Sequence, residues 1–248
     1  MISLRLVGVH TLAILRELGR NIAFVIPTLG FPAMFFALFG LPYAKLNPAS
    51  ANFLVCSFAA FALVGVTLFQ FGVGVAVERG RPWERYLRSL PVSVETRFVA
   101  RIAVALIFGI CSAGLVAIEA RLLTPVDFTA TQWLQLAFYT LAGATPFVLL
   151  GIALAYWVAP RGALPVTNIV YLLCSYAGGY WMPPQYLPSI AAKVSPFLPT
   201  RQYGELLWSV AQSGHDAVRA SLALSAFAAV FALFAIVGYR RDEKARYA

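Results

Sequence analysis

Six stretches of this 248-residue chain are apolar for about the 20 residues that a helix needs to cross a hydrocarbon core. They cover residues 22–42, 53–77, 102–123, 134–158, 163–182 and 217–239. Each is apolar all round and lacks the in–out alternation of a barrel strand, which predicts helices and excludes a closed β-barrel. Composition agrees. Hydrophobic residues make up 60% of the chain and charged ones 12%, with a mean hydropathy of +0.78, against about 45–50% and about 25% in soluble domains. A water-soluble fold of this length has too little interior for so much apolar surface. A soluble enzyme, a disordered chain and a nucleic-acid-binding domain are excluded on that ground. The expected fold class is an all-α polytopic membrane protein with six transmembrane helices.

The nineteen Lys and Arg residues then predict orientation. With the N-terminus inside, six spans return the C-terminus inside, and fourteen of the nineteen fall on inner segments. Those are Arg5, Arg16 and Arg20; Arg79, Arg81, Arg85, Arg88, Arg97 and Arg101; Arg161; and Arg240, Arg241, Lys244 and Arg246. Only Lys45, Arg121, Lys193, Arg201 and Arg219 fall outside. The bias places the chain in an inner or plasma membrane with both termini cytoplasmic. It also accounts for the net charge of +9 without a nucleic-acid partner.

Residues 1–21 form a unit of their own. Leu4, Val7, Leu12, Leu15 and Leu18 alternate with Arg5, His10, Arg16, Glu17 and Arg20. This predicts a helix lying in the inner interface against membrane lipid, with its arginines at the headgroups. The charges at 16, 17 and 20 interrupt any core of a cleavable signal peptide. Residues 22–248 form the six-span domain.

Between the second and third stretches the chain reads E-R-G-R-P-W-E-R-Y-L-R-S-L-P (residues 78–91). Gly80 suits the end of one helix and Pro82 the first turn of the next. Trp83, Tyr86, Leu87 and Leu90 fall on one helical face, while Arg81, Arg85 and Arg88 fall on another. Glu84 and Arg88 form an i, i+4 pair in the favourable order. The prediction is a short amphipathic helix over about 82–91 with an aromatic ridge rimmed by arginine, the usual chemistry of a docking peg.

Here the chain resembles the permease subunit of type-2 ABC exporters. The resemblance rests on the six spans, the N-terminal interfacial helix and the E-R-G … E-R-Y-L … P-V-S pattern of residues 78–93. Glu78, Arg79, Glu84, Leu87, Leu90 and Pro91 match the family pattern. Pro82 and Trp83 depart from it, where the family more often has a small residue and Thr. The resemblance implies that this is the coupling helix, docked on a separate cytoplasmic ATP-binding-cassette subunit. The implied contact set is Glu78, Arg79, Arg81, Trp83, Glu84, Arg85, Tyr86, Leu87, Arg88 and Leu90. It further implies no cofactor on this chain, ATP and Mg on the partner subunit, and a homodimer or a heterodimer with a related permease.

After the fifth stretch come Pro183, Pro184, Pro188, Pro196 and Pro199, a density no crossing helix tolerates. Tyr186, Leu187, Ile190, Val194, Phe197 and Leu198 are too apolar for a free loop. Short helices dipping back into the outer leaflet over about 183–205 are expected. In the resembled family this place holds re-entrant helices, and residues 195–205 look like their usual ending. Tyr180, Trp181, Tyr186 and Tyr203 are candidates for an outer gate, with an interfacial aromatic belt as the alternative. Gln70 and Asn168, polar residues within spans, are candidates for the pathway, with helix–helix hydrogen bonding equally open. Glu119 is expected to snorkel or to pair locally with Arg121.

No lysine ends a G-x-x-x-x-G-K run and no H-E-x-x-H or G-x-S-x-G occurs, so the chain is not expected to be an enzyme. Cys56, Cys111 and Cys174 lie in apolar runs and read as buried small residues. The expected function is outward transport of an amphipathic or lipid-like substrate, a drug or antibiotic being the lead, on ATP hydrolysed elsewhere. The alternatives are export of a polysaccharide or lipid-linked glycan, and a non-transporting sensor or scaffold that recruits a cytoplasmic partner.

Overall fold

The computed structural model describes residues 4–79, 94–212 and 214–247 of the chain. Every regular element among them is helical. The expected docking helix over about 82–91 lies outside the described residues, and with it Arg81, Trp83, Glu84, Arg85, Tyr86, Leu87, Arg88 and Leu90.

The chain starts with α1 (Leu4–Gly19), which has no buried residue and lies along the bundle. Next, α2 (Ile22–Phe35) runs through a π turn at Phe36–Gly40 into α3 (Leu41–Leu46). After that, α4 (Ala51–Leu68) continues through a second π turn, Phe69–Val73, into α5 (Gly74–Arg79). The long α6 (Val94–Leu123) is followed by α7 (Ala130–Ala142) and α8 (Thr145–Trp157), one stretch broken at its middle. Then come α9 (Pro160–Ala177) and the short α10 (Ser189–Val194). Two longer helices, α11 (Pro199–Ala211) and α12 (Ala217–Tyr247), complete the chain.

Five helical stretches among the described residues are long and apolar enough to cross a membrane: Ile22–Leu46, Pro48–Arg79, Thr96–Leu123, Ala130–Trp157 and Ala217–Glu243. The sixth expected stretch is not among them, because Arg161, Pro165 and Asn168 make its helix less apolar than the other five. Its helix, α9, has 18 residues, about 27 Å at 1.5 Å per residue, just short of a ~30 Å hydrocarbon core. It stops because the chain turns at Gly179, whose φ of +89° is open to glycine at little cost.

The axis of the fold is α4, in which every residue but Asn52 is buried. A helix apolar on all sides has no preferred face and packs at the centre. Its neighbours are α2, α6, α7, α8, α9 and α11. Small residues let them close in. A Cβ on Gly65 would stand 2.8 Å from the Tyr171 hydroxyl, so only glycine admits that ring from α9. By contrast α2 and α12 turn large apolar side chains outward, among them Ile22, Ile26, Leu222 and Leu233. Hydrocarbon is the solvent that suits such faces.

Helix breaks are answered by side chains. Pro32 has no N–H for the Thr28 carbonyl four residues back, and the Ser112 hydroxyl of α6 donates to that carbonyl at 3.0 Å. At the α7–α8 break the Ala144 amide bonds Leu141 instead of Thr140. The Tyr203 hydroxyl of α11 then donates to the Thr140 carbonyl at 2.7 Å.

Candidate functional site

Between α1–α2 on one side and α4, α5 and α9 on the other lies a cavity of about 590 Å³, within the usual range for a small-molecule site. The sequence makes room for it. Pro27 and Pro32 sit inside α2 and each removes a helical hydrogen bond, and Gly65 and Gly74 put no side chain on the facing wall. The wall is apolar and aromatic, with Phe24, Phe31, Phe35, Phe69 and Tyr171 as its rings. Gln70 and Asn168, 98 positions apart in the chain, both line it. Gln70 sits on the π turn Phe69–Val73, and π turns often accompany functional positions. Neither amide forms a hydrogen bond with another described residue, so two donor–acceptor groups stand ready inside a greasy wall.

The charged residues of the lining are Glu17, Glu78 and Arg101. Arg101 of α6 forms an ion pair with Glu78 of α5. Next to Glu78, Arg79 pairs with Asp242 of α12 at 2.5 Å. Glu78 and Arg79 are therefore both engaged inside the chain. We call this the arginine-rich end of the bundle.

Trp181 does not line the cavity but packs on Phe35, which does. Its ring lies 5.3 Å from Phe35, 5.7 Å and nearly parallel to Phe39, 6.0 Å from Phe61 and 5.7 Å from Tyr176. Its indole N–H is buried with no hydrogen-bond partner among the described residues. Such a donor favours any arrangement that gives it an acceptor. Tyr180 and Tyr203 are placed differently. Both are fully buried and tie helices together, the Tyr180 hydroxyl donating to the Thr200 carbonyl at 2.8 Å and Tyr203 to Thr140. Tyr186 is 59% exposed and meets only the Tyr43 ring, at 6.2 Å. Of the four aromatic candidates, Trp181 alone packs on a ring that lines the cavity.

Beyond Trp181, α11 is anchored in the core. Trp208 stacks on Phe53 at 4.7 Å, and its indole N–H donates to the Ser57 hydroxyl of α4 at 2.8 Å. On the surface of α11, Glu205 accepts from Arg201 and from the His215 ring at the approach to α12. Burial pushes the Glu205 carboxyl up, but the hydrogen bonds from His215 and Arg201 outweigh it and hold the group below the ordinary carboxylate range. Glu119 makes no ion pair with Arg121 or another described residue, and one of its carboxylate oxygens is buried without a hydrogen-bond partner.

Several residues in and around the cavity are silent as single letters. Phe31, Phe35 and Phe39 read as generic span residues, although their i, i+4 spacing already puts them in one row. Arg101 reads as an interface marker, and Asp242 as part of a charged tail.

The family described as ABC-2 type transporter matches residues 13–211. The chain is also similar to the putative transport permease YvfS of Bacillus subtilis (strain 168), with 22% identity over 238 residues, covering 94% of this chain and 97% of that one.

Proposed function

Since this chain belongs to the ABC-2 type transporter family, we propose that it is the permease of an exporter that carries an amphipathic, lipid-like substrate outward. The cavity of about 590 Å³ is the observation that carries this reading. Its apolar rings suit a greasy body, Gln70 and Asn168 suit a hydrogen-bonding group partway along it, and the charged lining of Glu17, Glu78 and Arg101 suits a polar headgroup entering from the inner leaflet. Trp181 is the outer gate in this reading.

The arginine-rich end is cytoplasmic, with both termini there and α9 as the sixth, shorter span. The helix α1 lies in the inner interface, and α10–α11 dip back from the outer surface. ATP is hydrolysed by a separate ATP-binding-cassette subunit, on which residues 82–91 dock, with Trp83, Tyr86, Leu87 and Leu90 as the ridge. Two permease copies, or this one and a related chain, enclose the pathway. The substrate is a drug-like or antibiotic amphiphile, because the cavity is closer in size to a single small molecule than to a polymer.

Co-expression tests the reading. The tagged chain retains an ATP-hydrolysing partner through purification in detergent, and Leu87→Asp abolishes both the association and the ATPase activity. Gln70→Leu leaves the association intact but changes which amphiphiles stimulate hydrolysis. A purified chain that holds no such partner refutes the proposal.

A further inference from the structure

Arg79, the last residue of α5, carries a dense set of interactions. Its Nη1 donates to Asp242 Oδ1 at 2.5 Å, its Nη2 donates to the Val158 carbonyl at 3.0 Å, and its guanidinium lies 5.5 Å from the centre of the Tyr156 ring. The Arg79 and Asp242 side chains are only 11% and 17% exposed, although 163 positions separate them. Val158 is available because α8 has just ended and its backbone is extended there. Tyr156 in turn meets Tyr239 of α12 edge-on at 5.5 Å. Trp157 reinforces the same junction, its indole N–H donating to the Phe234 carbonyl of α12 at 2.9 Å.

One position earlier, Glu78 points elsewhere. Successive residues on a helix are about 100° apart around its axis, and Glu78 pairs with Arg101 of α6 while Arg79 reaches α8 and α12. The last turn of α5 is thus gripped from two sides. A sheltered, charge-assisted pair of this kind holds its geometry far better than an exposed surface ion pair.

We propose that Asp242 is a positioning residue. With Arg79 it clamps the end of α5, from which the docking segment continues, to the C-terminal part of α12, so that a displacement imposed by the ATP-binding partner reaches the last span. This role rests on the reading that residues 82–91 dock on that partner. Asp242→Asn keeps the shape of the side chain and removes the charge that holds the guanidinium. Asp242→Glu keeps the charge.

The experiment uses the full-length chain with its ATP-binding subunit in lipid nanodiscs, in a Cys111→Ser, Cys174→Ser background. Spin labels are placed on Arg5→Cys in α1 and Glu243→Cys in α12, both exposed positions, and their separation is measured without nucleotide and after ATP–vanadate trapping. The parent protein shows a nucleotide-driven change in that distance. Asp242→Asn loses the change while retaining the complex and its ATP hydrolysis, and Asp242→Glu restores it. An unchanged displacement in Asp242→Asn overturns the clamp, as does its loss in both variants. A parent chain that binds no ATP-hydrolysing subunit refutes the proposed function itself, and the clamp's coupling role falls with it.

Discussion

Replacing Ser112 with alanine removes the only described donor that reaches across to the Thr28 carbonyl, the group that Pro32 leaves without its helical amide. Ser112 is fully buried while Thr28 is half-buried beside the cavity, which puts the cost at the low end for a buried carbonyl. An unsatisfied buried carbonyl costs about 1–3 kcal/mol, while measured interhelical hydrogen bonds in membranes average about 0.6 kcal/mol. We take about 1 kcal/mol, a fivefold shift in the folding equilibrium and about 2–4 °C in Tm for a chain of this size. The decisive partner is Pro32→Ala, which returns an N–H to position 32 and lets Thr28 bond within α2. Added to that background, Ser112→Ala costs little, because its acceptor is already served. The four proteins form a double-mutant cycle, read by reversible unfolding in mixed micelles, with an expected coupling of about 1 kcal/mol. Strict additivity, with Ser112→Ala equally costly in both backgrounds, refutes the account of Ser112 as the replacement donor.

Three further outcomes follow from the geometry. Gly65→Ala forces the Tyr171 hydroxyl off the Phe61 carbonyl and destabilises the protein by about 1–3 kcal/mol, measured by the same unfolding assay; a neutral substitution contradicts the close approach of α4 and α9. On the proposed gate, Trp181→Ala leaves Val73→Cys, on the cavity wall, open to a membrane-impermeant maleimide added outside intact cells, whereas Trp181→Phe stays protected; equal labelling of all three rejects the gate. The Glu205 carboxyl titrates lower in the folded protein than in the unfolded chain. Its stabilisation is therefore complete above the ordinary value of about 4.3 and is lost as pH falls through the lower folded value. Glu205→Gln is the less stable protein at neutral pH, and its thermal stability converges with the parent's in acid; a gap that does not change with pH contradicts the assignment.

The helical, membrane-embedded character was legible because lipid leaves little choice. A backbone without water must satisfy its own hydrogen bonds, and a run of about 20 apolar residues does so only as a helix. Gln70 and Asn168 were legible for the same reason, as amides that hydrocarbon does not solvate. Helix length was less so: the apolar run at 163–182 continues past the turn at Gly179, and hydropathy does not register a change of backbone direction. Tyr180, Trp181 and Tyr203 look alike as aromatic residues near the end of a span. Their different placements depend on which carbonyl or ring lies opposite each of them.

What the chain's letters determine is local. They set which segments are helical, which sides of them tolerate hydrocarbon, and where proline and glycine bend the backbone, because each of these is decided within one or two turns. What the tertiary structure decides is partnership. Gln70 and Asn168 share one cavity, and Arg79 meets Asp242, through the rotation and packing of helices around α4. Such meetings are fixed by how ridges and gaps of whole helices interlock, and no periodicity along a single segment encodes which distant side chain will stand across the gap.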